Sequence, residues 1–466
     1  MRKLIVLTLA ALGLLLVMPA AALANPKTFA VHPSGGNDTA AIQAAFNAAV
    51  KAGPGSTVVL SAGHFYTDTI LVRNFHGYFM GAGEGKTVID SVRGVDPSAA
   101  GLTMTTVSPS WQSLFLFGFR GGHVNVSGMS FDITPYSPAA PWASDNETDL
   151  LTVFLVTGNA SSSFDRVGFT AHAGDSDGYN VDTDIFIEGP EQNPTGSAPT
   201  SIAPTGGTHT VSHCSFFGRV GMRVEALTAG GLTVRDNVFD DYYCDLFSIE
   251  DSNSQIDISH NRMRCDGTGD NLILAQGWVE LAPLPGPRYR ITDNKMVASG
   301  IAGGVWLEDD STFYGAPNRL HAMVADNTIA LDNGGMDCGI DGFFAQGIRV
   351  LHNRISGTGL AGIGVGFASV VGGLSGPASG WRIIGNDVSG VNVANAYGDE
   401  PTAPIWLGPD ADHCLVVGGC RPTTVLDQGT DDTLINVTKL ADPPAAAAMP
   451  IKSLKQMKQV KGMVLP

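Results

Sequence analysis

The chain repeats one short frame of polar and apolar positions: apolar-x-apolar-x-x-Asn-x-apolar. It is first complete in "LTVRDNVFDD" (residues 232–241) and returns as "IDISHNRM" around Asn261 and "YRITDNKM" around Asn294. "AMVADNTI" around Asn327, "IRVLHNRI" around Asn353 and "WRIIGNDV" around Asn386 continue it. The asparagines lie 24, 33, 33, 26 and 33 residues apart. A fixed small unit with spacers of variable length is the pattern of a stacked repeat protein. Apolar residues alternate within each unit, so each contributes strands, and a parallel strand needs a long return path. Equivalent residues one coil apart then sit ~4.8 Å from each other. Asparagines at one turn form a ladder in that geometry, each amide bonding backbone and its neighbour, and we assign them a structural role only.

Ahead of the repeats, "NDTAAIQAAFNAAVKAG" (37–53) reads as a helix. Asp38 or Thr39 supplies its cap, Ile42, Ala45, Phe46 and Ala49 form one apolar face, and Gly53-Pro54-Gly55 ends it. "GSTVVLSAGHFY" (55–66) and "GAGEGKTVI" (81–89) follow as strands around turns. The Gly-rich stretch lacks Gly-Lys-Ser/Thr spacing and a following helix, so it is read as a turn and not a phosphate loop. This order of helix, strand and Gly-rich turn resembles the start of right-handed parallel β-helix proteins of the pectate-lyase-like superfamily, although Ser61 stands where they usually carry proline. The resemblance runs to about residue 438 and implies an all-β, right-handed parallel β-helix with an N-terminal capping helix. It also implies a polysaccharide groove on one strand face.

Residues 1–24 pair Arg2 and Lys3 with an apolar run from Leu4 to Met18 and small residues at Ala22-Leu23-Ala24, the pattern of a cleaved secretory signal. The run is too short for a comfortable membrane span. We therefore expect a secreted or periplasmic monomer with a β-helix domain at 25–440 and an Ala/Lys-rich tail at 441–466. Lys452, Lys455, Lys458 and Lys461 are read as part of a solvated tail.

Beyond the signal, 25 basic residues face 44 acidic ones, a formal charge of −19. That excess repels nucleic acid. It also repels anionic polysaccharide unless a cation or local arginines intervene. Six cysteines (214, 244, 265, 338, 414, 420) show no zinc spacing and read as buried thiols, with Cys414 and Cys420 close enough to bridge.

Candidate chemistry lies in the strand preceding each Asn frame. Aligned, these strands read "DIFIEG" (184–189), "GMRVEA" (221–226), "LFSIED" (246–251), "ILAQG" (273–277) and "VWLEDD" (305–310). Alternation turns Ile185, Ile187, Met222, Val224, Phe247, Ile249, Val305 and Leu307 inward. The outer face then stacks Glu188, Glu225, Glu250, Gln276 and Glu308 beside Phe186, Arg223 and Trp306, with Trp406 in the same register. Adjacent ionised glutamates at this spacing repel by roughly 1–3 kcal/mol. Arg223, a bound calcium ion or a shared proton offsets that.

Two carboxylates ~5 Å apart suit retaining glycoside hydrolysis, and ~6.5–9.5 Å suits inversion. Glu225 and Glu250 are the preferred pair and Glu188 the third acid, while Arg223 keeps a lyase mechanism open. Phe186, Gln276, Trp306, Glu308 and Trp406 are the substrate-binding candidates, the aromatics as exposed platforms for sugar rings. Interruptions at 134–149, 190–208, 308–320 and 394–404 are expected to wall this face.

The catalytic signatures of polygalacturonases and pectate lyases are incomplete. No Gly-His-Gly occurs, and "VSHCSFF" (211–217) has Ser212 where pectate lyases carry aspartate. His213 is read as a turn residue and Asp-rich 174–184 as a loop rather than a calcium site; no cofactor is assigned for certain, and a bound calcium ion stays open. A non-catalytic carbohydrate-binding or surface β-helix is the alternative.

Overall fold

In the computed structural model the described residues are 26–92, 114–134, 151–172, 181–188, 205–218, 220–225, 227, 229–241, 247–250, 254–265, 271–277, 288–300, 302–309, 320–367, 377–394 and 403–441. They form a right-handed parallel β-helix. Each coil supplies one strand to each of three files. One file precedes the Asn turn: Thr208–Ser212, Gly231–Arg235, Gln255–Ser259, Tyr289–Thr292, Ala322–Ala325, Arg349–Leu351 and Arg382–Ile384 pair in succession, all parallel. A second follows the turn, from Ser215–Phe217 through Val238–Asp241, Arg262–Cys265, Lys295–Ser299 and Thr328–Asp332 to Arg354–Gly359. The third, called here the front file, runs from Val181–Glu188 through Val220–Glu225, Phe247–Glu250, Asn271–Gly277 and Gly303–Asp309 to Ile340–Phe343.

At the turn between the first two files the asparagines form the expected ladder. The Nδ2 of Asn261 donates to Asn294 Oδ1 at 3.0 Å, and Asn294 Nδ2 donates to Asn327 Oδ1 at 3.0 Å. Each Oδ1 also accepts the backbone N–H of the asparagine one coil earlier, and each Nδ2 reaches a carbonyl of that earlier coil, as Asn294 does to Ile258 at 2.9 Å. Asn237, Asn261, Asn294, Asn327, Asn353 and Asn386 are all buried, so these bonds satisfy amides that have no water. The residue before each takes a left-handed conformation: Asp236, His260, Asp293, Asp326 and His352 have φ between 53° and 58°, and glycine fills the place at 385; His213, before Cys214 at the same turn, does likewise with φ 53°. Asp, Asn and His tolerate that region better than bulky or β-branched residues, which accounts for the short polar side chains there.

Inside, like stacks on like. Phe131, Phe169, Phe216 and Phe239 form a column with ring centroids 5.4, 5.0 and 4.5 Å apart and nearly parallel planes. The helix Thr39–Ala52 buries Ile42, Ala45, Phe46 and Ala49 and sets the Phe46 ring against Phe75, Phe79 and Phe119. Its expected cap is corrected. Asp38 stands at the N-cap with its backbone carbonyl accepting the Ile42 N–H, but its side chain makes no cap bond, because the carboxylate accepts the N–H groups of Ser34 and Tyr66 instead. The Gly-rich stretch is a turn leading into the strand Thr87–Ser91. Cys214, Cys265, Cys338 and Cys414 are buried free thiols and Cys420 an exposed one, so the 414–420 bridge is not formed. Among the described residues no helix is long and apolar enough to cross a membrane.

Candidate functional site

Alternation along the front file sends Ile185, Ile187, Met222, Val224, Ile273, Val305, Leu307 and Ile340 into the core. Two columns remain on the outer face, and the strand register fixes both. One runs Leu155, Phe186, Arg223, Ser248, Leu274, Trp306, Asp341, Gly364, Trp406 and Leu426. The other pairs Glu225 with Glu250, Glu250 with Gln276, Gln276 with Glu308 and Glu308 with Phe343. Glu188 sits across from Thr157, and because Ile187 pairs with Val224, Glu188 and Glu225 are the next residues on their strands. Glu188, Glu225 and Glu250 thus occupy consecutive coils. The side chains of Glu188, Glu250 and Gln276 lie outside the described part of the structure.

Glu225 is the best defined of these acids. It is only 2% exposed, and its Oε1 lies 3.4 Å from the Nε of Arg223, whose guanidinium stands 5.9 Å over the Phe186 ring. A carboxylate withdrawn from water needs such a partner to stay ionised. Arg223 is thus a cation in contact with Glu225 on this coil. Farther along, Glu308 is half-buried and accepts the indole N–H of the half-buried Trp306 at 3.0 Å. This fixes the ring and the carboxylate together.

Two aromatic expectations are corrected. Phe186 and Trp406 are 2% and 0% exposed, so neither is an open platform for a sugar ring. Phe186 packs with Phe115 and Leu155. Trp406 lies in an apolar cluster with Cys338, Phe343, Phe344, Leu360 and Phe367, stacks on Phe367 at 4.7 Å and donates its N–H to Gln428 Oε1 at 2.9 Å. A second apolar layer, built partly by turn residues, covers the outer face there. Of the three candidate aromatics only Trp306 keeps an accessible edge, at the margin of that layer.

The same face holds two acids that the alternation argument passed over. Asp184 and Asp341 are buried, at 2% and 1% exposure, the first two residues before Phe186 and the second paired with Trp306. The outward positions of "DIF" and "IDGF" are the sequence signal for both. Most of the four long interruptions, and most of Asp-rich 174–184, lie outside the described residues. Among the described residues one His/Asp group has metal-ligand spacing, Asp412, His413 and Asp431, and it lies on a turn of the last coils, away from Glu225.

No protein-family model matches the chain, and no curated protein matches it in sequence. Solved structures do match in shape. The Agl-KA catalytic domain superposes with a TM-score of 0.54 at 15% identity, over 90% of this chain and 69% of that one. The A-module of a mannuronan C-5 epimerase from Azotobacter vinelandii gives 0.49 at 14% identity, over 91% and 100%. A polygalacturonase from Erwinia carotovora gives 0.42 at 12%, over 91% and 100%. At these identities the likeness is one of fold, the right-handed parallel β-helix.

Proposed function

We propose that this chain is an exported polysaccharide-acting protein that cleaves glycosidic bonds on its front file, with Glu225 and Glu250 as the carboxylate pair and Glu188 as the third acid. The observation that carries the reading is the buried Glu225 at 3.4 Å from Arg223, one coil from Glu250. Backbones one coil apart are ~4.8 Å from each other, close to the ~5 Å that a retaining mechanism requires. Arg223 favours the ionised form of Glu225, which suits a nucleophile, and leaves Glu250 to protonate the leaving oxygen and then activate water. Arg223 is engaged with Glu225 and so is poorly placed as the base of an elimination, which favours hydrolysis over a lyase reaction. Glu308 and Trp306, held to each other, offer a polar and an aromatic contact for a neighbouring sugar, and Gln276 lies between them and the pair. The reading includes a signal at 1–24, a β-helix domain at 25–440 capped by the helix Thr39–Ala52, and a separate tail at 441–466.

The purified protein should release reducing ends from a polysaccharide panel without the ultraviolet absorbance of unsaturated uronates. Glu250→Gln should lower that activity by orders of magnitude with an unchanged or slightly higher melting temperature. Glu225→Gln should lower both, because it leaves the Arg223 guanidinium beside a neutral amide. Full activity in Glu250→Gln removes the assignment. Binding without cleavage moves the chain to the alternative, a non-catalytic carbohydrate-binding β-helix.

A further inference from the structure

The cations of this acidic chain are unevenly distributed, and the coil register shows where they gather. On the file before the Asn turn, Arg290 pairs with Met323, Met323 with Arg349 and Arg349 with Arg382, giving one straight outward column. On the file after the turn, Arg262 pairs with Lys295, Lys295 with Thr328 and Thr328 with Arg354. All six cationic side chains are exposed. Each column spans three coil steps, ~14 Å along the axis. Between the two columns lies the ridge of left-handed residues, with His260, Asp293, Asp326 and His352. Other acids stand at the ends: Asp257 pairs with Arg290 at the foot of the first column and Asp387 with Arg354 at the head of the second. Beside the first column the outward residues Thr292, Leu351 and Ile384 are uncharged and half-buried.

We propose that this ridge is a docking surface for a carboxylated polysaccharide lying along the helix axis, separate from the front file. The guanidinium fork matches a carboxylate in a bidentate pair, and arginine predominates among the six cations. A rigid sheet holds the charges in straight rows at multiples of the coil spacing, which suits a stiff chain bearing carboxylates at regular intervals. Half-exposed aliphatic neighbours suit the apolar faces of sugar rings. The described strands that carry these six cations expose no aromatic ring on which a nucleic-acid base stacks, and the acidic remainder of the molecule repels a wide polyanion such as duplex DNA. A slender polymer along the ridge meets six exposed cations against Asp293 and Asp326 on the crest and Asp257 and Asp387 at the ends.

The test is retention of the full-length protein by immobilised polygalacturonate at low ionic strength, with dextran and duplex DNA as comparison polymers. The wild type should bind polygalacturonate, release it as salt rises, and ignore dextran. The variant Arg290→Glu/Arg349→Glu/Arg382→Glu should weaken binding at least tenfold, and Arg262→Gln/Lys295→Gln/Arg354→Gln, which adds no repulsion, several-fold. Circular dichroism checks the coil in both, and the glutamine variant stands alone if charge reversal impairs folding. Both ridge variants should keep whatever cleavage of short oligosaccharides the wild type shows, which separates this surface from the proposed cleavage site. Unchanged retention in the folded ridge variants overturns the proposal, as does equal retention by DNA through the same residues.

Discussion

Replacing Asn294 by alanine should be among the more damaging single substitutions in the chain, and the damage should be local. The side chain sits in mid-ladder, 1% exposed, in four hydrogen bonds. Its Oδ1 accepts the backbone N–H of Asn261 at 2.9 Å and Asn261 Nδ2 at 3.0 Å; its Nδ2 donates to the Ile258 carbonyl at 2.9 Å and to Asn327 Oδ1 at 3.0 Å. Asn261 Nδ2 keeps a second acceptor in the Val234 carbonyl, and Asn327 Oδ1 keeps the Asn294 N–H. The Asn261 N–H and the Ile258 carbonyl lose the partner that the amide supplied, and burial keeps water from replacing it. At roughly 1–3 kcal/mol for each such group the loss is about 4 kcal/mol, with a little more from the lost amide volume. Stability in a coil stack is a sum of neighbour interfaces, so the assay is hydrogen exchange by peptide together with urea unfolding. Protection should fall most in the peptides holding Asn261 and Asn327 and little at Phe46 or Phe79. Asn294→Asp keeps an acceptor for the Asn261 N–H but sets a carboxylate against the Ile258 carbonyl and Asn327 Oδ1, so its cost should shrink as pH falls. A loss below about 0.5 kcal/mol, the range of ordinary surface changes, or a uniform loss of protection, would refute the reasoning.

Further outcomes follow from the buried ionisable groups. His209 lies in the core with Nδ1 2.9 Å from the Ser162 hydroxyl, and burial, followed by the influence of His123, pulls its pKa down to about 4. The unfolded chain takes up this proton near pH 6.5 and the folded chain only near 4, so stability should fall as pH drops across that interval. At 1.36 kcal/mol per pKa unit the loss is about 3 kcal/mol, and His209→Gln should flatten it in denaturant titrations at pH 7 and 4.5. Asp432 accepts the Cys414 N–H at 2.6 Å, a contact that the ladder asparagines make elsewhere, while burial and then Asp427 push its pKa up to about 6. Its charge therefore weakens the fold above that pH, so Asp432→Asn should raise the melting temperature at pH 7.5 and give no gain at pH 4.

What the sequence discloses here depends on whether a residue's neighbour is one coil away or arrives from elsewhere. Asn237 to Asn386 and the register of Glu225, Glu250, Gln276 and Glu308 were legible because a stacked coil sets each residue against its own equivalent, so aligning repeats is aligning contacts. The surroundings of Trp406 were not. Alternation placed it correctly on the outer face, but it is covered by Phe367 and Leu360, turn residues whose path no period predicts. Asp38 misled for a similar reason: its helix-cap position was right, but Ser34 and Tyr66 claimed the carboxylate. The cationic columns were readable in principle, since Arg262, Lys295 and Arg354 each follow a ladder asparagine directly. Only the observed register makes them a row.

Stacking like on like also constrains where charge is tolerable, and that bears on the front file. Equal charges ~4.8 Å apart repel by roughly 1–3 kcal/mol at effective dielectrics between 80 and 20. The cationic columns respect this limit: Arg262 and Lys295 are followed by Thr328, and Arg349 and Arg382 are separated from Arg290 by Met323. On the ridge, Asp293 and Asp326 are flanked by His260 and His352. In each of these columns like charges occupy at most two consecutive coils before a neutral residue or a histidine intervenes. The glutamates at 188, 225 and 250 exceed that number, and the middle one is buried, where repulsion is screened least. Arg223 stands beside that middle residue, and Gln276 continues the column without charge. A surface kept acidic only for solubility needs neither burial nor an arginine within 3.4 Å. The cost concentrated at Glu225 is why we propose this coil, rather than the more open Glu308, as the place to look for chemistry.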